Sequence, residues 1–137
     1  MSERTIEKVL ELDVTVDRVW RAITDPAELA RWFGDEAEFD LRPGGDAFMT
    51  WKNHGRYAMR VEEVDRPRRL VWSWVHDPGV AFEDAPATRV EWTLTPREGG
   101  GTTLRLRETG FRTDLHYRQN TEGWDAELGE LVTLLSS

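Results

Sequence analysis

Residues 113–135, TDLHYRQNTEGWDAELGELVTLL, decide how the chain folds. Tyr117, Thr121, Trp124, Leu128, Leu131 and Leu135 recur at intervals of four and three, which places them on one face of an α-helix. The helix is expected to begin near Thr113 or Asp114. Its stripe runs over about five turns, and the helix is roughly 30 Å long at 1.5 Å per residue. A strand of about nine residues covers the same distance. One such helix can cross a whole sheet, so the upstream sequence has to supply that sheet.

Upstream, the apolar spacing is mostly two. Ile6–Val14 reads as a strand, with Ile6, Lys8, Leu10, Leu12 and Val14 sharing one parity. Thr15 is placed to cap a helix carrying Val16, Val19, Trp20 and Ile23 on one face, with Asp17 in its first turn. Asp25-Pro26-Ala27-Glu28 opens a second helix. Asp25 caps, Pro26 fits the first position, and Glu28 is expected to reach back and complete a capping box. Leu29, Trp32 and Phe33 form its buried side and Gly34 ends it. Strands follow around Ala37–Leu41, Ala47–Trp51, Arg56–Val64, Leu70–His76, Thr88–Thr95 and Thr102–Thr109. Turns at 42–45, 52–55, 65–67 and 99–101 separate most of them. Residues 77–86 form the longest loop. The expected class is α+β: a strand, two short helices, a run of antiparallel strands and one long C-terminal helix, all in one domain over residues 1–137.

Bulk composition excludes several function classes. A chain of 137 residues buries roughly 70% of its unfolded surface, enough for a core without disulfides or metals. There is no cysteine, so thiolate metal sites and cysteine nucleophiles are absent. A net charge of −8, with Arg interleaved among Asp and Glu, gives no basic stripe for nucleic acid. No apolar run approaches the roughly 20 residues of a membrane span, and the N-terminus lacks a secretion segment, so a cytoplasmic location is expected.

The seven Trp residues are the unusual feature. Strand parity collects Met49, Trp51, Tyr57, Met59, Trp72, Trp74 and Trp92 on one sheet face, and the helix stripe adds Trp124. Large aromatics on a sheet face more often form core than a ligand box. A curved sheet, however, has a concave face that one helix does not fill, and ligand sites are concave and apolar with a few polar groups. Glu108 continues the parity of Leu104 and Leu106, and His76 that of Trp72 and Trp74. Both polar groups would stand at the end of that face.

Several ordered motifs resemble a known family. They are Val19-Trp20, Asp25-Pro26, Trp32, Leu41-Arg42-Pro43-Gly44-Gly45, the segment from Val64 to Trp72, Gly110-Phe111 and Gly123-Trp124. Together they resemble the activator of Hsp90 ATPase homologue 1-like family of the START-like (SRPBCC, Bet v 1-like) superfamily, from about Ile6 to Leu135. The resemblance implies a helix-grip fold, a curved antiparallel sheet around a long C-terminal helix, with a cavity between them that in related families holds hydrophobic molecules. It identifies architecture better than activity. An Hsp90-type chaperone is not expected as a partner, because the eukaryotic co-chaperone carries a further N-terminal domain for which this chain has no room.

The expected function is binding or sequestration of a small hydrophobic or aromatic molecule. Met49, Trp51, Tyr57, Met59, Trp72, Trp74, Trp92, Glu108 and Trp124 are the expected lining, with Glu108 and Tyr57 orienting the ligand. Against this, Glu108 lies near a strand end, where reaching water or capping the last helix is the ordinary role. His76 ends a strand beside Asp77-Pro78, where exposure is common. The three dispersed His residues give no metal-ligand spacing, and no cofactor motif or catalytic triad is present. The alternatives are an aromatase/cyclase-like enzyme acting on polyketide-type substrates, which needs polar groups converging inside the cavity, and a chaperone-linked interaction module, which needs an exposed apolar patch. The Val80–Phe82 loop is a lid, a partner contact or a mobile segment, and leaves a homodimer open. Gly110–Asp114 is the other candidate gate.

Overall fold

The change of apolar period at Thr113 is where strands give way to the long helix. A computed structural model describes residues 4–136. Strand β1 (Ile6–Leu12) is followed by helices α1 (Val16–Thr24) and α2 (Pro26–Trp32). Then come β2 (Glu36–Phe39), β3 (Asp46–Trp51), β4 (Gly55–Asp65), β5 (Arg69–Val75), a 3₁₀ turn at Phe82–Asp84, β6 (Ala87–Pro96), β7 (Thr102–Thr109) and α3 (Asp114–Leu135). The strands form one antiparallel sheet in the order β1-β7-β6-β5-β4-β3-β2. This is a helix-grip α+β fold, with a curved sheet and a long C-terminal helix. No helix among the described residues is long and apolar enough to cross a membrane.

Local chemistry sets the helix ends. The Thr15 hydroxyl accepts from the Arg18 amide at 3.3 Å, and Asp25 Oδ1 accepts from the Ala27 amide at 2.9 Å, each satisfying an orphan N–H of a first turn. Thr113 caps α3 in the same way through the His116 amide at 3.1 Å. Glu28 does not complete the expected capping box. The Asp25 amide already donates to Arg21 O at 3.0 Å to close α1, so the cap has no free N–H to offer. Glu28 instead pairs with Arg18 and Arg21 of α1, at 3.2 and 3.3 Å, and locks the two short helices together.

The Pro43-Gly44-Gly45 turn folds back onto β4. The Gly44 amide donates to Val61 O at 2.7 Å, and the Val61 amide to Gly45 O at 2.9 Å. The β4–β5 register shifts between Val61 and Glu63, next to that contact. A Cβ on Gly45 would lie 2.1 Å from Asp40 O, so the close approach requires glycine.

On the inner face, Val61, Leu70, Trp72, Val90, Trp92, Leu104 and Leu106 are buried with α1, α2 and the last turns of α3. The α3 stripe holds as expected, but burial is graded along it. Trp124, Leu128, Leu131 and Leu135 are buried, whereas Tyr117 and Thr121 are only half-buried. The helix touches α2 and the β1 edge of the sheet, where Lys8 pairs with Asp125 at 2.7 Å. Strands β3 and β4, toward the opposite edge, are therefore left partly uncovered beside the first half of α3.

Candidate functional site

That uncovered region is a cleft of about 430 Å³. This volume lies within the range typical of small-molecule sites, ~300–1,000 Å³. The β3–β4 hairpin contributes Trp51, His54 and Tyr57, the end of β5 contributes Trp74 and His76, and α3 contributes His116, Asn120, Trp124 and Glu127. Phe33, at the end of α2, is the floor. Its ring stacks on Trp124 at 5.2 Å and 9°, and on Trp74 at 5.6 Å and 23°, and meets Trp51 edge-on at 5.1 Å. Each such aromatic pair contributes about 0.5–1.5 kcal/mol beyond the area it buries. A larger hollow of about 650 Å³ beside α1 is bordered by Trp20 and Phe39 but also by five charged side chains, Asp17, Arg18, Arg21, Asp25 and Arg66.

Sheet register explains how Glu108 reaches the cleft. It lies opposite Val90 on β6, and Trp74 on β5 lies opposite Thr88, two residues away on the same face. The Glu108 side chain is fully buried. Oε1 accepts from Trp124 Nε1 at 2.7 Å and from Asn120 Nδ2 at 3.1 Å; Oε2 accepts from Trp74 Nε1 at 2.8 Å and from the Thr88 hydroxyl. Burial pushes the Glu108 carboxyl above its ordinary pKa, and these donated bonds, led by Thr88, oppose the shift. Four donors converge on the two oxygens, an arrangement suited to the ionised carboxylate.

His76 extends this network to the cleft wall. Its Nε2 lies 2.7 Å from Thr88 Oγ1 and its Nδ1 lies 3.4 Å from Asn120 Nδ2. With the Thr88 proton directed at Glu108, Thr88 accepts from Nε2–H and Nδ1 is the acceptor. Burial, with help from His116 stacked at 5.3 Å, holds the His76 pKa down at about 4, against the pull of Asp77. The ring is uncharged at neutral pH, so its 3.6 Å approach to Glu108 is not an ion pair. Across the cleft, burial and Asp77 raise the Tyr57 pKa. Burial also pushes Glu127 up to about 7, assisted by Glu130 and Asp35 and opposed by a hydrogen bond donated by Trp51.

The structure divides the expected lining. Trp51, Tyr57, Trp74 and Trp124 border the cleft. Met49, Met59, Trp72 and Trp92 do not. They are at most 1% exposed and packed into the core, because α2 and α3 cover that part of the sheet face. Glu108 neither reaches water nor caps a helix; it sits behind Trp74 and Trp124 and ties them together. His76 is mostly buried, with a side chain 12% exposed. Of the alternatives for the Val80–Phe82 loop, the described residues do not form a lid: Phe82 lies 4.4 Å beneath the Arg60 guanidinium and Glu83 pairs with Arg60 at 2.6 Å, on the sheet's outer face. Phe111, in the other candidate gate, packs at 5.7 Å from His76 and from Tyr117. Sequence reading missed Thr88, Asn120 and Glu127. Asn120 and Glu127 lie four residues before and three after Trp124, and Thr88 shares the parity of Val90 and Trp92, so extending either pattern by one step would have found them.

Comparison with known proteins agrees with this architecture. No curated protein sequence matches the chain significantly. CalU16 from Micromonospora echinospora is 32% identical, with a TM-score of 0.77 over 96% of this chain and 76% of its own. DynU16, from the dynemicin biosynthetic locus, has a TM-score of 0.84 at 24% identity; the match covers 99% of this chain but only 48% of DynU16. An Hsp90 activator from Plasmodium falciparum has a TM-score of 0.77 at 20% identity, with 96% of each chain covered. The last two likenesses are of fold alone. The family described as "Activator of Hsp90 ATPase homolog 1-like protein" matches residues 13–136. The chain belongs to that Hsp90 ATPase activator homolog 1-like family.

Proposed function

We propose that this protein binds a small, largely apolar or aromatic molecule in the cleft between β3–β5 and α3. One observation carries the reading: a cleft of about 430 Å³ is walled by Trp51, Tyr57, Trp74 and Trp124, and two of those indoles are fixed from behind by Glu108. Rigid aromatic walls give contact area with little side-chain ordering on binding. The interaction-module alternative has less support. The large exposed apolar residues among those described are Val9, Leu41, Leu115 and Val132. They fall on separate elements or, on α3, about 25 Å apart, and form no contiguous patch.

Native mass spectrometry of protein purified from its own host tests the proposal. A co-purifying small molecule, released by Trp51→Ala, is the expected result. A ligand-free protein that also gives no calorimetric signal with a panel of aromatic compounds would defeat it.

One observation favours an aromatase/cyclase-like second reading. Glu108, Thr88 and His76 form a continuous hydrogen-bonded chain ending at the cleft wall. A proton taken from a ligand onto His76 Nδ1 would let the Nε2 proton pass to Thr88 and the Thr88 proton to Glu108, leaving His76 uncharged and Glu108 protonated. Under this reading His76→Phe keeps ligand affinity and abolishes any turnover of it.

A further inference from the structure

The charge lining the cleft has one sign. Glu127 stands on its rim, and Asp35 and Glu130 are close enough to act on it. Asp77 acts on Tyr57 and on His76. Glu108 lies behind the rings of Trp74 and Trp124. Among the described residues no Lys or Arg borders the cleft. Among the described lining residues, the groups that can acquire positive charge are His54, His76 and His116, and His76 is uncharged at neutral pH.

Beside Glu127, to which Trp51 donates its indole N–H, the rings meet at steep angles. Trp51 stands at 82° to Tyr57 with centroids 5.5 Å apart, and at 55° to Trp74 with centroids 6.2 Å apart. All three rings border the cleft, and the negative face of an aromatic ring attracts a cation. Among the described residues no cation pairs with Glu127, and its raised pKa follows first from burial and then from Glu130 and Asp35.

We infer that the cleft prefers a ligand whose apolar or aromatic body carries a protonated amine, the body lying on Trp51, Tyr57 and Trp74 and the ammonium against Glu127. This inference rests on the binding function proposed above and adds the charge of the occupant. It has a linkage consequence. An ammonium beside Glu127 returns the carboxyl toward its ordinary pKa, so near pH 7 binding is accompanied by release of a fraction of a proton.

Three probes of one shape test it by calorimetry at about pH 8: 2-naphthylmethylammonium, 2-naphthylmethanol and 2-naphthoate. The ammonium is expected to bind at least ~10-fold more tightly than the alcohol, and the carboxylate most weakly. In Glu127→Gln the ammonium's advantage is expected to fall to within about 2-fold while the alcohol's affinity is kept. Gln can still accept from Trp51, and Glu127→Asp should retain part of the preference, so a loss of fold is separable from a loss of charge. Near pH 7, the observed heat for the ammonium should vary with buffer ionisation enthalpy in the wild type and not in Glu127→Gln. If the alcohol or the naphthoate binds as tightly as the ammonium, or the preference survives Glu127→Gln, the charge inference falls and the binding function stands. If none of the three binds at millimolar concentration, the charge inference falls, and the binding function is decided by the native mass spectrum and the wider panel.

Discussion

Trp74 on β5 and Trp124 on α3 donate their indole N–H groups to the two oxygens of one carboxylate, Glu108, at 2.8 and 2.7 Å. Sheet and helix are thereby joined at the back of the cleft through a buried acid on a third element, β7. Removing that acceptor leaves buried donors unpaired, each costing about 1–3 kcal/mol and not additively. Glu108→Ala should therefore destabilise the fold by about 3–5 kcal/mol in urea denaturation. Glu108→Gln keeps one oxygen but turns N–H toward N–H, and should cost about 1–3 kcal/mol.

Two groups of the cleft give opposite pH dependences. The Glu127 pKa is raised in the fold, from 4.5 to about 7, so the folded chain holds this proton more firmly than the unfolded chain does. Its contribution to stability is fully present below pH 4.5 and is lost as pH rises through about 7. The His76 pKa is lowered from 6.5 to about 4, so the unfolded chain binds that proton first. Its contribution is present above pH 6.5 and is lost as pH falls toward about 4. The slopes oppose each other where the windows overlap. Glu127→Gln should steepen the acid loss of stability, and His76→Gln should leave stability falling as pH rises. Denaturation free energies over a pH series check both signs.

Core and cleft residues should separate in mutagenesis. Met59 is 1% exposed and lies away from the cleft, so Met59→Ala should cost about 2–5 kcal/mol of stability with little change in affinity for an aromatic probe. Trp51 borders the cleft, so Trp51→Ala should weaken binding by ~10-fold or more, through loss of a ring face. Calorimetric affinity measured beside melting curves distinguishes the two outcomes.

Gly45→Ala tests the turn that holds the β4 bulge. The added Cβ would meet Asp40 O at 2.1 Å, so the turn has to open and release the Val61 amide. A loss of about 2–4 kcal/mol and faster hydrogen exchange at Val61 are expected.

The sequence carries the periodic part of this molecule well. Tyr117 to Leu135 and the alternation through Leu70, Trp72 and Trp74 show which faces turn inward. Periodicity does not say how far across the sheet the helix lies. Trp72 and Trp74 are indistinguishable by parity, yet one is sealed in the core and the other borders the cleft. Glu108 reads as inward-facing, but the donors that justify its burial come from β5, β6 and α3, up to 34 residues away in sequence, and only the register brings them together. Glu28 failed as a capping residue for a similarly non-local reason, since the amide it would have served was already donated to the preceding helix.

Six of the seven indoles, Trp20, Trp32, Trp72, Trp74, Trp92 and Trp124, are buried, and Trp51 alone is half-exposed. Its ring lies 6.2 Å from Trp74, which lies 5.8 Å from Trp124 and 6.0 Å from Trp72. Light absorbed anywhere in that chain can migrate among rings so close. An aqueous quencher such as iodide reaches the chain through Trp51, so emission from deep inside the protein becomes sensitive to whatever occupies the mouth of the cleft.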